Sequence, residues 1–149
     1  MQLLVVLSIL PQILILLIYL NLALMQLLKP SNFCPKVKTI VTDITIVKQG
    51  IFTLVNKTFQ NTIIAAIEQV SNALPGKPHT ETGLLNCFNQ YPQSIYVIGN
   101  VPTALIALCK ELVTSKVKST LIIDYSVGFV SVVYSQKILA KTSMPQIRV

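Results

Sequence analysis

Val97-Ile98-Gly99-Asn100-Val101-Pro102-Thr103-Ala104-Leu105 passes from a β-branched run into a polar bend and then into helix-forming residues. Ser94 to Ile98 reads as a strand, being rich in residues that suit a pleated, buried surface. Pro102 suits the first helical turn, where its fixed φ is favourable and its missing N–H costs nothing. A helix is therefore expected from Pro102 to Val113. Gly99 lets the backbone approach another group closely, Asn100 carries both a donor and an acceptor, and open amides at a helix start favour an anion. Spacing alone leaves two readings open: a loop that holds a ligand, or an ordinary strand-to-helix turn capped by Asn100.

Outward from this unit the chain keeps alternating. Val37 to Asp43 is β-rich and ends in an acid. Ile44 to Gln49 reads as a short helix stopped by Gly50, and Ile51 to Val55 as a short strand. Asn61 to Asn72 carries Ile63, Ile64, Ile67 and Val70 at helical spacing. Leu74-Pro75-Gly76-Lys77-Pro78 is a breaker, and Thr80 is placed to cap the helix that follows it. Ser119 to Asp124 reads as a strand, Val127 to Thr142 as mostly helix, and Gln146 to Val149 as a last strand. The pattern implies an α/β fold with a central, mostly parallel sheet and helices on both faces. Ligands in such sheets sit at the carboxyl ends of the strands. Thr42-Asp43, Gly99 to Thr103 and Asp124 to Gly128 all fall at that edge.

Of 149 residues, 52% are hydrophobic and 11% charged, and the net charge is +7. A basic chain attracts polyanions, but Lys48, Lys57, Lys77, Lys110 and Lys137 are scattered and form no stripe with interleaved aromatics, which argues against nucleic acid. Cys34, Cys87 and Cys109 show neither a CxxC motif nor a paired histidine. The odd count and wide gaps argue against a zinc site or disulfide framework and fit a reducing, cytoplasmic setting.

The first 28 residues hold no charged side chain. Leu3 to Leu28 is long and apolar enough for a membrane span. Lys29, Lys36 and Lys38 would then keep the following domain in the cytoplasm. No basic n-region or small-residue cleavage site marks it as a secretory signal. Residues 1–33 thus form an apolar segment, and 36–149 an α/β domain.

Four ordered segments of that domain carry a family resemblance. Val41-Thr42-Asp43-Ile44-Thr45-Ile46-Val47-Lys48-Gln49-Gly50-Ile51 is the first, and Thr80-Glu81-Thr82-Gly83 the second. Ile98-Gly99-Asn100-Val101-Pro102-Thr103-Ala104-Leu105 is close to a Gly-Asn-Ala-Pro-Thr-Ala-Leu signature. Val127-Gly128-Phe129-Val130 with Ser135-Gln136-Lys137 completes the set. Together they resemble the precorrin-8X methylmutases. The resemblance implies an isomerase of cobalamin biosynthesis that moves a methyl group from C-11 to C-12 of precorrin-8, metal-free or cobalt-loaded, without a separate organic cofactor. It implies a corrin pocket lined by Thr42, Asp43, Thr80, Asn100, Pro102, Thr103, Gly128 and Phe129, with the amides after Asn100 receiving a carboxylate arm. It implies a homodimer in so far as family members dimerise; the residues themselves, by cysteine spacing and scattered lysines, lead us to expect no metal site and no nucleic acid partner.

The chain also departs from the family. Its only histidine, His79, stands in a Pro-rich turn where the family has Arg, and reads as a solvated turn residue rather than a catalyst. The family's histidine motif, which supplies the acid, is missing from the N-terminal stretch. Reading the bases under Ser8 to Ile15 one nucleotide earlier permits His-Ser-Thr-Ala-Asp-Phe-Asp. Residues up to roughly Phe33 are therefore either a genuine anchor or out of frame. Asp124-Tyr125-Ser126 replaces a Gly-Val-Pro type of turn, Tyr134 replaces a Glu, and the family's Gly- and Arg-rich tail does not follow Val149. These departures predict a marginally folded chain that is catalytically weak or inactive. The rival reading is a single-span membrane protein whose small α/β domain binds an anion or partner.

Overall fold

The computed structural model describes residues 38–58, 60–117, 119–126 and 131–148. Strands β1 (Ile40–Thr42), β2 (Ile63–Ala65), β3 (Ile95–Ile98), β4 (Leu121–Asp124) and β5 (Gln146–Arg148) form one parallel sheet in the order β2-β1-β3-β4-β5. The connections are helical: α1 (Thr45–Thr58), a 3-10 turn (Ala66–Gln69) followed by α2 (His79–Gln90), then α3 (Pro102–Thr114) and α4 (Val132–Ala140). The α/β class and the parallel sheet inferred from the alternation are those observed.

Continuous apolar strands mark a sheet covered on both faces. Val41, Tyr96, Ile98 and Ile122 pack with Leu84, Phe88, Leu105, Leu108 and Leu139 of α2, α3 and α4. On the other face Ile40, Ile95, Val97, Leu121 and Ile123 pack with Val47, Ile51 and Val55 of α1. Tyr96 is fully buried, and its hydroxyl donates to Tyr91 O at 2.8 Å, so the phenol brings no unpaired polar group into the core.

Three local expectations give way. Gly50 does not stop a helix, and Ile51 to Val55 is not a strand: α1 runs through both. Val47, Ile51 and Val55 form one buried stripe at helical spacing, and its burial outweighs the roughly 1 kcal/mol cost of an internal glycine. Asn61 to Asn72 is not a helix either. Ile63 and Ile64 pair in register with Ile40 and Val41, and only a 3-10 turn follows. Two adjacent β-branched residues beside a buried strand are stabilised there more than in a short isolated helix. Finally, Pro78 (φ −62°) is the capping residue of α2, which places Thr80 inside the first turn.

The apolar segment 1–33, with both its membrane-span and its out-of-frame reading, lies outside the described residues. Among the described residues no helix is long and apolar enough to cross a membrane.

Candidate functional site

In the order β2-β1-β3-β4-β5 the chain leaves β1 toward one side of the sheet and β3 toward the other. The two exits open a crevice between the carboxyl ends of β1 and β3, the topological switch point where doubly wound sheets bind ligands. Thr42 and Asp43 lie at the end of β1, and Gly99 to Thr103 follow β3.

Asp43 is fully buried, and its carboxylate spans the crevice. Oδ1 accepts the N–H of Ile44 at 2.9 Å. Oδ2 accepts the N–H of Asn100 at 2.8 Å and of Val101 at 3.0 Å. Its backbone adds two more ties, accepting from Ile67 N–H (3.3 Å) and donating to Val97 O (3.2 Å). Val101, the capping residue of α3, has no side-chain cap of its own. An acid more than fifty residues upstream therefore places the negative charge that the positive end of α3 favours. Burial pushes the Asp43 carboxyl above the ordinary carboxylate range, while the amides of Asn100, Gly99, Val101 and Ile44 pull it back down.

Gly99 serves the same assembly. A Cβ added there would lie 2.5 Å from Val47 Cγ2, so the close approach that this glycine permits is to α1. Thr42 is also fully buried; its hydroxyl donates to Ile44 O (3.2 Å), with Ile64 O at 3.4 Å. The structure thus sets Thr42 and Asp43 beneath the loop, with their polar atoms committed internally. The amides of Asn100 and Val101 are filled by Asp43 and are closed to a carboxylate arm of a ligand.

Asn100 and Thr103 are exposed and Pro102 is half-buried. Ala104 and Leu105 donate to Val101 O at 3.1 and 3.4 Å. Pro102 has no N–H, so Thr103 N–H is the first-turn amide of α3 left without an internal acceptor among the described residues. Thr80 is half-buried in the first turn of α2, next to an exposed His79. Gly128 and Phe129 lie outside the described residues.

At the end of β4, Asp124 pairs in register with Ile98, and Tyr125 N–H donates to Ile98 O at 2.7 Å. Asp124 is fully buried. Its Oδ1 accepts from Ser126 Oγ (2.5 Å) and Ser126 N–H (3.1 Å), whereas the enclosed Oδ2 has no hydrogen-bond partner among the described residues. Burial pushes this carboxyl up; Ser126, Gln136 and Arg148 oppose the rise. The Asp124 carboxyl is thus held inside the fold.

Burial also pushes the thiols of Cys87 and Cys109 up, to about 11 and about 12, so neither is a nucleophile near neutral pH. No group of metal-ligating side chains occurs among the described residues.

One feature of this edge was not read from the sequence. A cavity of about 300 Å³ lies between α2 and α3 and takes in Thr103, Lys77 and Lys110, with Glu81 and Glu111. The two lysines are far apart in the chain, and no motif joins them.

The family model for precorrin-8X methylmutase matches residues 31–149. The cobalt-precorrin-8 methylmutase of Synechocystis sp. is 49% identical over 112 residues, covering 75% of this chain and 52% of that protein. The cobalt-precorrin-8 methylmutase of Leptospira interrogans is 41% identical over 68 residues, 42% of this chain and 31% of the relative. The chain thus spans about half or less of the length of these curated relatives. Among solved structures, the precorrin-8x methyl mutase of Thermus thermophilus superposes with a TM-score of 0.64 at 20% identity, over 75% of this chain and 56% of that one. A precorrin-8X methylmutase related protein gives the same TM-score at 22% identity, over 75% and 60%. At these identities the superpositions establish the shared fold.

Proposed function

The chain belongs to the precorrin-8X methylmutase family, and on that basis we propose that it binds the precorrin-8 macrocycle at the β1/β3 crevice and orients it for the methyl shift from C-11 to C-12. The observation that carries this reading is the clamped Gly99–Val101 loop. It matches the family's signature in sequence, and it sits at the switch point with its polar groups fixed in advance by Asp43.

The reaction is an isomerisation: one C–C bond to the migrating methyl breaks, another forms, and no atoms enter or leave. The protein's task is therefore to orient the ring, to exclude water and to control a proton on the macrocycle. Asn100 and Thr103 are exposed, and the Asn100 amide and Thr103 hydroxyl suit neutral hydrogen bonding to ring substituents. Pro102 keeps the loop and helix start in one conformation. Thr80, at the start of α2, and Gly128 and Phe129, after β4, complete the proposed lining. Cobalt, where present, enters as part of the ring. The reading includes a cytoplasmic homodimer, and size-exclusion chromatography of the full chain tests the assembly.

Visible spectroscopy tests the reading directly. Adding hydrogenobyrinate, the product of the metal-free reaction, is expected to shift its absorption bands saturably, and Asn100→Ala and Thr103→Val are expected to weaken the effect. A chain that neither perturbs the spectrum nor turns over precorrin-8 overturns the proposal.

A further inference from the structure

Crossovers between parallel strands are right-handed, so the direction of each step across the sheet decides which face its helix takes. From β1 to β2 the chain steps one way; from β2 to β3, β3 to β4 and β4 to β5 it steps the other. Among the described helices, α1 therefore has one face to itself, and α2, α3 and α4 share the opposite one, as the two cores show. On the α1 face every strand presents apolar residues: Ile63 of β2, Ile40 of β1, Ile95 and Val97 of β3, Leu121 and Ile123 of β4, and Ile147 of β5. α1 packs on β1 and β2. Neighbouring strands stand about 4.8 Å apart, which puts β4 about 10 Å and β5 about 14 Å from β1. A helix about 10 Å across, seated over β1 and β2, does not reach that far. Leu121 and Ile123 are nevertheless only 5% and 0% exposed. Beside them on this face the described residues supply only the half-buried Tyr125 and Ile147.

We propose that the apolar N-terminal segment of this same chain, through Ile13–Leu20, covers β4 and β5 on the α1 face. The choice of occupant rests on length, charge and reach. Apart from residues 1–37, the stretches outside the described ranges are one to four residues long, too short to roof two strands. Residues 1–28 carry no charged side chain, and Ile13–Leu20 is their longest apolar run, set between Gln12 and Asn21. Residues 29–39, which join the segment to β1, span up to about 36 Å when extended, more than twice the way from β1 to β5. Lys29, Lys36 and Lys38 fall on this tether, outside the apolar contact. Apolar surface left in water costs about 25 cal/mol per Å². One tether carries both surfaces, so each is the partner that the other meets at the highest effective concentration.

The experiment uses the full chain, made in the presence of phosphatidylcholine vesicles and carrying Cys34→Ser with Ile147→Cys. The second substitution sets a reactive thiol at the rim of the covered face, while the buried Cys87 and Cys109 report on the fold. Maleimide labelling of the new thiol is expected to accelerate about tenfold or more when Leu14, Leu17 and Ile18 are each changed to Asn, the effect of freeing a docked segment. Cys87 and Cys109 stay protected in both chains. Independently, one of Leu14→Cys, Leu17→Cys or Ile18→Cys, paired with Ile147→Cys, is expected to form an intramolecular disulfide under mild oxidation at low protein concentration. Equal labelling rates with and without the Asn substitutions overturn the proposal, as does the absence of a disulfide from all three pairs. Protection that appears only as protein concentration rises assigns the face to a second copy and overturns it too. A chain that resists alkaline extraction from the vesicles has its segment in the bilayer, which is equally fatal.

Discussion

Replacing Asp43 with Asn tests the clamp most directly, because the shape is kept and only the charge and one acceptor change. The carboxylate takes three backbone N–H groups: Ile44 on Oδ1, Asn100 and Val101 on Oδ2. The amide of Asn has one acceptor oxygen. In its better orientation that oxygen serves Asn100 and Val101, and the NH2 group faces the N–H of Ile44. One charged-acceptor bond is lost, worth about 1.5–3 kcal/mol, and the remaining two weaken to neutral bonds. The start of α3 also loses its negative partner, a further loss of about 0.3–1 kcal/mol. Relief of the buried charge offsets part of this, since burial holds the Asp43 carboxyl above its ordinary range. The net expectation is a destabilisation of about 2–3 kcal/mol, dominated by the lost acceptor. Urea unfolding of the two chains measures it. Amide hydrogen exchange localises it, with Asn100, Val101 and Ile44 losing protection ahead of the β3 core. A difference below about 0.5 kcal/mol, within the ordinary range for surface substitutions, with those amides still protected, would refute the clamp.

Three further outcomes follow from the same contacts. Gly99→Ala places a Cβ 2.5 Å from Val47 Cγ2 and should cost about 1–3 kcal/mol. Adding Val47→Ala should recover part of that loss, and purely additive effects in the double-mutant cycle would show that the contact is not the cause. Gly83→Ala meets backbone instead, with Ala66 O at 2.0 Å and Val70 Cγ2 at 2.9 Å. Its thermal midpoint should fall further than that of Gly99→Ala and should not recover with Val70→Ala; recovery would put the clash at the side chain. Asp124 gives a pH dependence. Its folded pKa is raised, so the folded chain holds a proton that the unfolded chain releases, and the associated stability is full below the unfolded value and lost as pH rises through the folded one. Asp124→Asn should flatten that slope and gain on the wild type as pH rises. A difference that stays constant with pH counts against the assignment.

What was legible in the sequence was local. Val97 to Leu105 contains the strand, the bend and the helix start in one stretch, because Ile, Gly and Pro each act on their own backbone. The parallel order followed from alternation. Asn61 to Asn72 misled because Ile63, Ile64, Ile67 and Val70 match a helical period in isolation. What decides the matter is that Ile63 and Ile64 lie against Ile40 and Val41, a contact outside any local window. Gly50 misled in the same way, since the stripe Val47, Ile51, Val55 acquires its weight only against the sheet. The role of Asp43 was hidden for a stronger reason. The amides that donate to it lie 57 and 58 residues away, and an Asp at a strand end looks alike whether it faces a ligand or a loop.

The internal carboxylate changes how the loop should select a ligand. A free nest of amides at a helix start would attract any anion, including phosphate, with little regard to shape. With Asp43 seated there, that unspecific attraction is cancelled and the loop is stiffened in one step. What remains at its surface is neutral: the Asn100 amide, the Thr103 hydroxyl and the Thr103 N–H. Such groups discriminate by direction, and they lose more from a misplaced partner than they gain from a charged one.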